Sequence, residues 1–62
     1  MPMQQTLLVY KELLIELNFQ LRRVFAQLKS EKNIRIRLSL YIRAKQIVQQ
    51  LKEVNRAIIK QV

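Results

Sequence analysis

Eight basic side chains, Arg22, Arg23, Lys29, Lys32, Arg35, Arg37, Arg43 and Lys45, fall within 24 residues that hold a single acid, Glu31. The chemistry open to such a set is phosphate recognition. Arginine offers a planar fork to phosphate oxygens and lysine a point charge. Several of them together release condensed counterions, which makes binding steeply dependent on salt. The whole chain sets twelve Lys and Arg against four Glu, for a net charge of +8. Residues 1 to 21 hold one base and two acids, so the excess lies in the later two thirds. Clustered bases in a chain with a pI near 10.7 are the electrostatic footprint of a partner such as RNA, although bases also serve solubility. No spacing among them resembles a base-reading code. Tyr41 could stack on a nucleotide, but its place beside an apolar seam makes packing against a neighbouring helix the simpler expectation.

For catalysis the materials are missing. The chain has no histidine, cysteine or aspartate, which removes the usual nucleophile, base and thiolate sets, disulfides, and Cys/His zinc sites. Glu12 and Glu16 stand one turn apart and read as an exposed helix surface rather than an acid/base pair. The absence of glycine excludes phosphate-cradling glycine loops. The expectation is a protein that is not an enzyme and needs neither cofactor nor metal.

The bases must be carried by helices. Leu7, Leu14, Leu21 and Leu28 recur every seven residues, with Tyr10, Leu17 and Val24 between them, the repeat of a long helix that presents a narrow seam to another helix. A second seam runs through Leu40, Ala44, Ile47, Leu51, Val54 and Ile58. The two differ in phase. Continuing the first would bring Arg35, Lys45, Gln49, Lys52 and Arg56 onto the seam, so the chain has to break between about Leu28 and Leu40. The predicted fold is all-α, an antiparallel two-helix hairpin that is coiled-coil-like, able to pair into a four-helix bundle. A first helix is drawn from about 4 to 29, a turn from about 30 to 35, and a second helix from about 36 to 61, one domain over 1–62. Thr6 is the candidate N-cap of the first helix. Asn33 is the candidate left-handed residue of the turn, since asparagine is next best to glycine there.

One stretch fits a second pattern. Ile34, Ile36, Leu38, Leu40 and Ile42 alternate with polar residues, the period of a half-buried strand, which would need a second copy to form a paired ribbon. Helix is the preferred reading, because a lone strand leaves its backbone groups without partners. In a hairpin closed at residues 30 to 35, the eight bases converge on the closed end as a positive tip.

Sixty-two residues support only a marginal core. Leu8, Val9, Leu13, Ile15 and Phe19 lie off the first seam, so the first helix is apolar around most of its circumference. A two-helix hairpin buries one stripe only, and these five residues are the candidate docking surface for a protein partner or a second copy. The longest apolar run, Leu7 to Tyr10, is far short of a membrane span of about 20 residues. The opening residues lack the basic region of a signal peptide. The expected location is cytoplasmic or organellar, in a mitochondrion or plastid, and not secreted.

The segments Phe19-Gln20-Leu21-Arg22, Ala26, Glu31 and Arg35-Ile36-Arg37 together resemble the middle of the large-subunit ribosomal protein family numbered twenty-nine. Its members are small basic helical hairpins, and the whole chain length fits. The resemblance implies ribosomal RNA contacts by Arg22, Arg35, Arg37 and Arg43. Val9-Tyr10-Lys11 followed by Leu13-Leu14 is similar to the opening of the Leu-Tyr-Arg motif proteins, which are small basic helical assembly factors and subunits of mitochondrial complexes. The preferred expectation is a ribosomal component that binds structured RNA. The alternative is a homodimeric four-helix bundle without nucleic acid, serving as a regulator, chaperone or mitochondrial assembly factor.

Overall fold

A computed structural model describes residues 2–61, with side chains from Gln5 to Gln61. It holds two helices, α1 from Pro2–Ser30 and α2 from Ile34–Gln61. A 29-residue helix is about 43 Å long. The backbone fits within 48 × 15 × 11 Å, so α2 folds back along α1 as an antiparallel hairpin. Both helices are longer than predicted and the turn is shorter, residues 31–33. Thr6 lies inside α1 rather than at its start.

The two seams meet as their spacing requires. Leu17, Val24, Ala44 and Ile47 are buried, and Leu21, Leu28, Leu40, Leu51 and Val54 pack around them half-buried. Ile47 is the one fully covered large side chain among the described residues, at 0% exposure. No polar or charged side chain is buried among the described residues, so the core is held by apolar burial alone, at roughly 25 cal/mol per Å².

The turn is built from capping rather than from left-handed backbone. No described residue has positive φ, which corrects the role expected of Asn33. Its side-chain Oδ1 accepts the backbone N–H of Arg35 at 2.9 Å and that of Ile36 at 3.4 Å. Its carbonyl accepts the N–H of Arg37 at 2.9 Å. Asn33 is therefore the N-cap of α2, satisfying donors that the first turn leaves unpaired. That is why α2 opens at Ile34, two residues before the predicted start.

The alternating stretch 34–42 is helical. Of its five apolar residues only Leu40 reaches the seam, while Ile34, Ile36, Leu38 and Ile42 stay exposed. A helix satisfies its own backbone and still brings Leu40, Ala44 and Ile47 to one face, which a strand with no neighbour cannot do.

Candidate nucleic-acid interface

Counting from the turn at 1.5 Å per residue, all eight predicted bases lie within about 17 Å of the closed end. Each is exposed. Residues 22–45 carry eight bases and Glu31, which is seven of the eight excess positive charges in less than half of a 48 Å rod. The level along the rod is as predicted, but the direction is not uniform. Helical spacing spreads the bases around the circumference, so they form a collar rather than one patch.

Arg37 has a task within the hairpin. It stands in line with Ala44, Leu51 and Ile58 at seven-residue spacing, so its side chain starts from the seam and reaches across to the end of α1. Its Nη1 donates to the carbonyl oxygens of Leu28 at 2.6 Å and Glu31 at 3.0 Å. These are among the carbonyls that the last turn of a helix leaves without partners, and a cation there also complements the helix dipole. Glu31 closes the same corner: its N–H donates to the Gln27 carbonyl at 2.9 Å, and its Oε1 accepts the Asn33 N–H at 3.1 Å.

Two further bases touch the protein more loosely. Arg43 Nη2 donates to Gln20 Oε1 at 3.5 Å, and Gln20 Nε2 in turn donates to Glu16 Oε1 at 3.2 Å. The Arg23 guanidinium carbon sits 6.0 Å from the centre of the Phe19 ring, at the outer limit of a cation–π contact. Arg22, Lys29, Lys32, Arg35 and Lys45 make no side-chain hydrogen bond within the hairpin among the described residues, and their charges face solvent. The collar presents exposed guanidinium and ammonium groups, whose chemistry matches phosphate oxygens.

The five predicted docking residues are all exposed, from 42% for Leu13 to 62% for Ile15, but they do not share one face. Leu8, Ile15 and Phe19 are seven and four residues apart and form one stripe on the side of α1 away from α2. Val9 and Leu13, four apart, lie on a different stripe. Ile15, Phe19 and Arg22 with Asn18 line a shallow depression on the first of these.

A more developed concavity was not foreseen. Phe25 and Leu28 of α1, and Tyr41, Ala44, Lys45, Val48, Gln49 and Lys52 of α2, line an open groove of about 600 Å³ between the helices. Tyr41 forms part of its wall at 60% exposure and does not pack into the seam as expected. The signal for this groove was present: Ile34, Tyr41 and Val48 repeat every seven residues, one position past the seam. The alternating pattern over 34–42 masks it. Lys45 belongs to this groove as well as to the collar.

No helix among the described residues is long and apolar enough to cross a membrane. No family model, no curated protein and no solved structure matches this chain.

Proposed function

We propose that this chain is a non-catalytic helical hairpin that binds structured RNA through phosphate contacts from its closed end, as a small ribosomal component. One observation carries the reading: seven of the eight excess charges gather at one end of the rod on exposed side chains. Solubility alone gives no reason for that concentration. The resemblance of residues 19–37 to the ribosomal family numbered twenty-nine supports the same reading, since a two-helix hairpin is the fold it implies. Arg22, Lys29, Lys32, Arg35 and Lys45 are the bases free to give their charge to phosphate, with Arg23 and Arg43 able to turn outward. Arg37 acts chiefly on the hairpin.

The test compares two pairs of equal charge change against a structured RNA over a range of salt. Lys32→Gln with Arg35→Gln removes two bases at the turn, and Arg56→Gln with Lys60→Gln removes two at the open end. Each lost phosphate contact lowers the slope of log affinity against log salt by about 0.7 to 0.9. The turn pair should therefore flatten the slope by about 1.4 to 1.8 and the open-end pair by much less. Equal, small losses would reduce the charge to a diffuse attraction. A homodimer is the second reading, favoured by the exposed stripe Leu8, Ile15 and Phe19. Sedimentation of the chain without RNA separates the two.

A further inference from the structure

We infer that the groove between Phe25 and Tyr41 is the acceptor for a third helix, an acidic amphipathic helix of another protein, which completes the hairpin as a three-helix bundle. The groove flank shares Lys29 and Lys45 with the basic collar, but the inference rests on the groove and its rim and does not depend on the RNA-binding reading.

The first support is area. A compact monomer of 7.5 kDa shows about 4,250 Å² of surface, whereas the hairpin shows 5478 Å². The difference, about 1,200 Å², exceeds the roughly 800 Å² that one partner buries in a stable interface. The second is the breadth of the apolar stripe. A strict seam suffices for a helix with one neighbour, while a wider stripe marks a helix with two. In α2 the stripe is widened without interruption on one flank, by Ile34, Tyr41 and Val48, whereas on the other Arg43 and Gln50 separate Ile36 from Ala57. The opposite flank is polar where the Gln20 to Arg43 hydrogen bond crosses it. The third is shape: between Phe25 on one wall and Tyr41 and Val48 on the other, the small side chain of Ala44 leaves the floor low. A ridge of side chains from an incoming helix fits such a trough, as helices pack ridge into groove.

Charge selects the occupant. Lys45 and Lys52 stand on the lip of the groove, seven residues and about 10.5 Å apart along the helix. By helical spacing Lys11 and Lys29 fall on the same flank of α1, fourteen and four residues from Phe25. No glutamate shares these positions. Carboxylates seven residues apart on the incoming helix would meet both lysines of the lip. A second copy on this flank would oppose four bases to four bases, which disfavours self-association here, and a bilayer surface has no ridge to fill the trough.

The test uses a synthetic peptide of about three heptads, with leucine at both seam positions and glutamate at the flanking ones, and its counterpart with lysine in place of glutamate. Binding to the full chain is measured by fluorescence anisotropy and stoichiometry by sedimentation. The glutamate peptide should bind one to one and the lysine peptide should not. Lys45→Glu with Lys52→Glu should weaken the glutamate peptide by about tenfold or more and confer binding of the lysine peptide. Lys32→Glu with Arg35→Glu, an equal change of charge at the turn, should leave peptide binding nearly unaltered. Equal losses from the two pairs would show diffuse attraction and overturn the inference. So would a hairpin that dimerises through this flank, or one whose Lys45 and Lys52 are needed for anionic vesicles and not for the peptide.

Discussion

Replacing Arg37 with glutamine separates the two roles that its charge could play. The guanidinium makes two hydrogen bonds from one nitrogen, to Leu28 O at 2.6 Å and Glu31 O at 3.0 Å. A hydrogen bond contributes about 0.5 to 1.5 kcal/mol net, with more for a shielded charge. Arg37 is exposed, and solvent screening discounts the upper end of the roughly 1 to 3 kcal/mol that two such bonds would sum to, so the pair together is worth about 1 to 2 kcal/mol. A domain of 62 residues has a total stability of only about 3 to 9 kcal/mol, and each kcal/mol moves the midpoint of thermal unfolding by about 4 to 8 °C in a domain of this size. Arg37→Gln should therefore lower the midpoint by about 4 to 16 °C, read by far-ultraviolet circular dichroism. Arg37→Lys keeps the charge but has a shorter side chain and a differently placed donor in place of Nη1, so it should fall in between. By contrast, Arg35→Gln, one turn-facing base without a side-chain bond, should leave the midpoint almost where it was. If Arg37→Gln melts like the unmodified chain and instead loses RNA affinity as Arg35→Gln does, Arg37 is an RNA contact and the capping argument is wrong.

Two further outcomes test the core and the turn. Ile47→Ala removes three carbons from the fully covered side chain and should cost about 2 to 5 kcal/mol, enough to unfold much of the population at room temperature; Ile42→Ala, at 58% exposure, should stay within about 0.5 kcal/mol, and denaturant titration compares them. At Asn33, an N-cap predicts that Asp matches Asn, Gly loses a few tenths of a kcal/mol, and Ala loses about 1 kcal/mol; a Gly variant more stable than the parent would mean that the position needs left-handed backbone after all.

The seams were legible because they depend on spacing, and spacing is read directly from residue types. Leu17, Val24, Ala44 and Ile47, the buried core, all stand on the two seams that spacing alone defines. The turn was less so, because asparagine suits two different jobs, left-handed backbone and helix capping, and only the geometry of Arg35 and Ile36 N–H groups tells them apart. The run from Ile34 to Ile42 satisfies a period of two and hides a period of seven, so the groove wall at Tyr41 and Val48 is not legible from the pattern. For the bases, counting along the chain gives the level on the rod. It does not give the direction in which each side chain leaves its helix, nor that Arg37 turns inward to close α1.

The crowding of charge at the turn also bears on how the hairpin forms. Contacts nearest a three-residue connection close the smallest loops and lose the least chain entropy, so zippering from that end is the fastest route. Here those first contacts bring together the region with seven of the eight excess charges, and repulsion between them falls off over about 10 Å at 0.1 M salt. The cheapest nucleus in entropy is thus the least favourable in electrostatics. Folding should accelerate as salt is added, and accelerate further when a polyanion gathers the two arms before they meet. A partner that binds the finished hairpin at this end would then act on the rate at which it forms as well as on its final stability.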